Sequence, residues 1–196
     1  MFLLQRPDRA AIDRFIAGSL EMPLSYGPAG VTRADGGQAP GFDEDDTVAA
    51  VGRGEADHVR AREALAAWKQ FEVGWVELCR PADAGITRGT VVALLIRHFG
   101  FWSLNGARVV YEIGDAGTGE RFGFAYGTLP NHSEAGEESF EVWHDRRSDQ
   151  VMYRIHAVSR PRAFLARLGY PIVRRLQARF RAESVAAMRR AVSGNA

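Results

Sequence analysis

Apolar residues recur along this 196-residue chain at two spacings, one of three to four residues and one of two. Ile12, Phe15, Ile16 and Leu20 follow the first spacing behind Asp8, whose carboxylate suits a helix start, so an amphipathic helix is predicted over Pro7–Leu20. Ala61, Ala64, Leu65, Trp68 and Phe71 form a second stripe and predict a helix over Glu55–Phe71. The period then falls to two. Val73, Trp75, Glu77 and Cys79 alternate with Gly74, Val76, Leu78 and Arg80 as a strand. Thr90–Arg97, Phe101–Leu104, Ala107–Ile113, Arg121–Thr128, Glu137–His144 and Gln150–Val158 read as further strands. Asn105-Gly106 supplies a turn signal between two of them, and Gly114–Glu120 joins two others as a hairpin. Connections this short require antiparallel pairing, because a parallel neighbour needs a crossover of about a dozen residues.

Beyond Pro161 the spacing is helical again, through Leu165, Leu168, Ile172, Val173, Leu176, Phe180 and Met188. One long helix is predicted over Pro161–Val192, with Pro161 in its first turn and a kink where Gly169 and Pro171 interrupt it. Its apolar stripe needs a surface to cover, and one face of the sheet is the only candidate large enough. The expected fold is a single α+β domain in which a curved, mostly antiparallel sheet of about six to seven strands grips a long C-terminal helix. Residues 1–50 hold the first helix and a Gly/Pro-rich segment, 51–160 the second helix and the sheet, and 161–192 the last helix. Within Met22–Thr47, glycine and proline recur so often that loop is expected, with room for one short strand at Leu24–Tyr26 or Gly30–Thr32.

Composition narrows the class. At 46% apolar and 25% charged residues the chain is globular. Its most apolar run, Val91–Ile96, is strand-sized and stops at Arg97, so no integral membrane segment is expected. The opening MFLL has no basic flank and is too short for a signal peptide, which gives a cytoplasmic expectation. Cys79, the lone cysteine, excludes an intramolecular disulfide. The net charge of +1 conceals polarity along the chain: Phe42–Thr47 is acidic, whereas Arg160–Arg190 carries nine arginines and one acid. The bland account of those arginines is a solvated helix face.

The segment FGFAYGTLPNHSEAGEESF, Phe122–Phe140, concentrates the chemistry. Phe122, Phe124 and Tyr126 share one face of a strand, and Gly123, Ala125 and Gly127 leave the other nearly bare, so a ligand or the C-terminal helix is expected to approach closely there. Asn131, His132, Ser133, Glu134, Glu137 and Glu138 then offer a histidine and carboxylates for acid and base work, or equally a solvated turn. His132-Ser133-Glu134 has the His-x-Glu form of zinc deaminases but lacks the later cysteine pair, and the five histidines show no metal-ligand spacing. No metal or cofactor is expected. Arg154 and His156 share a strand face with Met152 and Val158, opposite Tyr153.

Phe122–Phe140 together with HAVSRPRAFLARLGYPIVRRLQARF, His156–Phe180, resembles the family called domain of unknown function 1990, of bacteria and plants. Tyr126, Gly127, Pro130, His132, Gly136, Glu137, Phe140, Ser159, Arg160 and Pro161 stand where that family's pattern has them, and Asn131 replaces a glycine frequent among its members. The order of elements also looks like the helix-grip layout of START-like and birch-pollen-allergen-like domains, which enclose an apolar cavity between sheet and long helix. The layout implies a pocket for a small hydrophobic or lipid-like ligand, with Phe124, Tyr126, His132, Glu138, Tyr153 and His156 as candidate binding residues. Two alternatives stand beside it. One is a cyclase- or hydrolase-type enzyme using His132 or Glu138; the other is a peripheral protein whose arginine-rich helix meets anionic lipid, with nucleic acid disfavoured.

Overall fold

A computed structural model describes residues 1–33, 39–98, 100–114, 120–162 and 170–194. The elements are β1 (Phe2–Leu3), α1 (Arg9–Ser19), β2 (Asp43–Arg53), α2 (Gly54–Ala66), a 3-10 turn (Lys69–Phe71), β3 (Val76–Cys79), β4 (Val91–Arg97), β5 (Trp102–Gly114), β6 (Arg121–Thr128), β7 (Glu134–Asp145), β8 (Gln150–Pro161) and α3 (Tyr170–Ser193). Seven strands form one curled antiparallel sheet in the order β2-β8-β7-β6-β5-β4-β3, and β1 pairs with β5. The sheet grips α3, the helix-grip arrangement that the sequence layout implies.

Each face of the sheet is covered by what the sequence pattern supplies. Asp8 caps α1 by accepting from the amide of Ala11 at 2.7 Å, and Ile12 and Ile16 of that helix pack on Cys79, Val91, Ala93, Leu95 and Leu104. The opposite, concave face carries the larger core, where Ala61 and Leu65 of α2 and Val185, Met188 and Val192 of α3 meet Val109, Phe124, Phe140, Tyr153 and Ile155. The second helix stops at Ala66, before the end of its apolar stripe. Trp68 takes a left-handed φ of 63°, which turns the chain and lays its ring edge-on against Phe124, with centroids 4.5 Å apart.

Several expectations are corrected. The acidic run at Phe42–Thr47 is not loop: Asp43 to Thr47 open the 11-residue edge strand β2, paired with β8 from Asp43↔Ser159 to Arg53↔Gln150. Its carboxylates find arginine partners within the protein, Asp45 with Arg174 and Arg181 of α3, and Asp46 with Arg154 of β8. Neither Leu24–Tyr26 nor Gly30–Thr32 forms a strand.

Asn105-Gly106 is not a turn but the middle of the 13-residue β5, paired with Leu94 and Ala93. Asn105 is fully buried; its amide donates to the Leu94 carbonyl and Ser103 Oγ, and its Oδ1 accepts from the Ser133 amide. A Cβ on Gly106 would lie 2.3 Å from Oδ1 of Asn131, so the glycine makes room for the His132 loop.

Pro161 ends β8 rather than starting the helix, because pairing with β7 continues through Ser159↔Gly136 and Pro161↔Glu134. Pro171 is the second residue of α3, in the first turn, where a missing amide costs nothing. Leu165, Leu168 and Gly169, with the kink expected at Gly169, lie outside the described residues.

Candidate functional site

The N-terminal half of α3 stands away from the sheet, whereas its C-terminal half packs tightly: Ser184, Val185, Ala187, Met188 and Val192 are buried, but Ile172 is 54% exposed. The gap is a cavity of about 320 Å³. Its wall is mainly apolar, from Phe71 and Trp75 beside the 3-10 turn, Leu94 and Ile96 on β4, Tyr126 on β6, and Leu176 and Phe180 on α3. Trp75 is fixed by a 2.6 Å hydrogen bond from its indole N–H to Glu183 of α3.

Polar groups gather on the β7 side. Tyr126 and Glu138 are register partners on β6 and β7, and the phenol donates to Oε2 of the carboxyl group. Burial pushes Glu138 up to about 7 and raises Glu134 as well. Glu134 is held by Gln177 of α3, whose amide donates to Oε2 at 3.0 Å. His132 accepts the Glu134 amide at Nδ1, 3.0 Å away, and burial holds the ring down to about 4. It is therefore the neutral tautomer at pH 7, with its proton on Nε2. Asp45 reaches in from β2 and bridges Arg174, at 2.5 and 2.8 Å, and Arg181, at 3.1 Å.

Three of the six candidate residues, Tyr126, His132 and Glu138, thus meet at the cavity. Phe124 and Tyr153 do not line it; both are wholly buried behind it, and Tyr153 shares a 2.9 Å hydrogen bond with Ser184 of α3. His156 lies on the other face of the sheet, its ring nitrogens bonded to the Thr32 carbonyl and to Glu44. The bare side of β6 also differs from expectation. It is not the C-terminal helix that approaches it: a Cβ on Gly127 would lie 2.4 Å from the hydroxyl of Tyr26, part of a strap across the convex face. Glu137 anchors that strap, accepting from the Tyr26 hydroxyl, the Gly30 and Thr32 amides and the Thr32 hydroxyl.

Asp45, Phe71, Trp75, Leu94, Ile96 and Arg181 also line the wall and are not among the candidate binding residues named from the sequence. The signal for Asp45 is the alternation Asp43, Asp45, Thr47, Ala49, Val51, which is masked by the charge of its neighbours. Many of the helix arginines are engaged within the protein: Arg179 pairs with Glu183, and Arg189 and Arg190 donate to the carbonyls of Ala50 and Glu72. Cys79 is buried and its thiol is pushed up to about 11, which keeps it unreactive. Among the described residues there is no cluster of three or more His, Cys, Asp or Glu able to hold a metal ion, and no helix long and apolar enough to cross a membrane.

Comparison with known proteins places this architecture. A UPF0548 protein of Dictyostelium discoideum is 32% identical over the whole chain and 97% of its own length. A UPF0548 protein of Deinococcus radiodurans is 35% identical, covering 91% of this chain and 92% of its own. The crystal structure of TTHA0849 from Thermus thermophilus shares the fold, with a TM-score of 0.55 at 14% identity over 79% of this chain and 99% of that one. The model of the family described as Domain of unknown function (DUF1990) matches residues 25–187, and the chain belongs to that family.

Proposed function

We propose that the protein binds a small hydrophobic or lipid-like molecule in the cavity between the sheet and α3. The observation that carries this reading is the cavity itself: about 320 Å³, walled by Phe71, Trp75, Leu94, Ile96, Leu176 and Phe180, with a few polar groups on one side. Small-molecule sites have this build, at volumes of roughly 300–1,000 Å³. Native mass spectrometry and organic extraction of the purified protein test it, with Nile red as an added neutral probe. A retained apolar compound, or saturable Nile red binding lost in Leu94→Trp, is the expected result. Protein that carries nothing and takes up no probe would end the reading.

A second reading, an enzyme, is favoured by one observation: Glu138 lines the cavity beside His132, and burial lifts its carboxyl group to about 7, where it can give or take a proton near neutrality, while His132, held down to about 4, stays neutral there. Glu138 would serve as acid or base on a bound substrate. Conversion of the retained compound by wild-type protein and not by Glu138→Gln, followed by mass spectrometry, supports this; identical compounds after incubation with both count against it. The peripheral reading draws little support from α3, because five of its six arginines, Arg174, Arg179, Arg181, Arg189 and Arg190, have partners within the protein and only Arg175 is exposed with no hydrogen bond or ion pair to the other described residues.

A further inference from the structure

Glu138 presents one carboxyl oxygen to the cavity. Its Oε2 is taken by Tyr126, and Oε1 has no hydrogen-bond partner among the described residues. The neighbouring polar groups are mostly committed. Glu134 accepts from Gln177, and His132 spends Nδ1 on the Glu134 amide. Arg181, the arginine on the wall, bridges Asp45, which Arg174 also holds. The polar side therefore gathers three carboxyl groups, Asp45, Glu134 and Glu138, against two guanidinium groups, Arg174 and Arg181, both of which are bonded to Asp45. With all three ionised the carboxylates outnumber the guanidinium groups, and Glu134 and Glu138 are bonded by the neutral donors Gln177 and Tyr126, so an anionic head group entering here would meet net negative charge.

Resting on the binding function above, we propose that the pocket selects amphipathic ligands whose head group donates a hydrogen bond and carries no negative charge, a hydroxyl or an ammonium, with Oε1 of Glu138 as its acceptor. The volume limits the apolar part. At roughly 30 Å³ per water-sized group, about 320 Å³ holds about ten heavy atoms, the size of a decyl chain.

The discrimination varies with pH because Glu138 is pushed up to about 7. Facing it are Tyr126 from β6, Glu134 on β7 itself, Asp45 from β2, Tyr153 from β8 and Arg181 from α3. Below about 7 the carboxyl group is protonated and can itself donate to an anion; above it the carboxylate repels one.

Isothermal titration of the full chain with decanol, decylamine and decanoate, at about pH 6 and about pH 8, is the test. At about pH 8 decanoate should bind at least about tenfold more weakly than decanol, with decylamine no weaker than decanol. At about pH 6 the decanoate gap should close to about threefold, and Glu138→Gln, checked for native circular dichroism, should close it similarly at about pH 8. Should that variant misfold, the wild-type pH comparison decides alone. Decanoate binding as well as decanol at about pH 8, or a gap that neither pH nor the variant alters, overturns the selectivity and leaves the binding function standing. If none of the three ligands binds at either pH, the binding function falls and the selectivity with it.

Discussion

Tyr126 stands directly across the β6–β7 pair from Glu138 and donates its phenolic hydrogen to Oε2 of that carboxyl group. The bond favours the charged form of Glu138, so it opposes the burial that holds the carboxyl group near 7. Tyr126→Phe removes the donor and keeps the ring. Glu138 in that variant should titrate higher than in the wild type, read from its side-chain carboxyl carbon by NMR; an unchanged or lower value contradicts the geometry.

Glu138 and His132 should pull stability in opposite directions as pH changes. Folded Glu138 keeps a proton to about 7, whereas an unperturbed glutamate releases it near 4.5, so its contribution is full below that value and is lost as pH rises through about 7. Folded His132 refuses a proton until about 4, against 6.5 unperturbed, so its contribution is present above 6.5 and lost as pH falls toward about 4. Each effect is at most about 3 kcal/mol, and the windows overlap, so they largely cancel in the wild type. Urea denaturation across the window should expose them singly. Relative to wild type, Glu138→Gln should lose stability on acidification, and His132→Gln should lose it as pH rises.

Asp45 ties the edge strand to α3 through two arginines, one of which, Arg181, has a side chain only 15% exposed. Asp45→Asn leaves that guanidinium without its countercharge. A loss of about 2 kcal/mol in chemical denaturation is expected, less than for a fully buried pair because Arg174 can reach solvent. A neutral result would mean that the pair holds nothing together.

The strap over the convex face is set by the absence of a side chain at Gly127. Gly127→Ala drives a methyl group into the ring of Tyr26 and should cost about 2 kcal/mol, with faster amide exchange at Gly30 and Thr32. Tyr26→Ala combined with Gly127→Ala should cost less than the sum of the two single changes. Simple additivity would show that the residues do not meet.

How much of this was legible in the sequence depended on whether local pattern and tertiary packing agreed. Strands β4, β6, β7 and β8 and helix α1 follow alternation or a helical stripe, and their positions were readable to within a few residues. Asn105-Gly106 misled because turn preference is local, whereas the buried Asn105 side chain bonds Leu94 and Ser133, two separate pieces of chain that only the fold brings to its own strand. β2 was hidden by its charge: Asp45 is inward because Arg174 and Arg181, about 130 residues later, wait for it. The site divided similarly. Tyr126, His132 and Glu138 lie within one short segment, so the sequence grouped them, but strand parity could not say that His156 belongs to the convex face, since that requires knowing which side the strap covers.

The acidic edge strand has a bearing on how separate molecules behave. β2 ends the sheet, so its outer row of backbone amides and carbonyls is a template on which another chain could add a strand. Asp43, Glu44, Asp45 and Asp46 occupy the first third of that row in succession. Two copies aligning these edges would crowd carboxylates against one another, with the arginines that match Asp45 and Asp46 already engaged inside each copy. Asp45, which lines the cavity, thus also belongs to a row of like charge of the kind that disfavours strand addition at an open sheet edge.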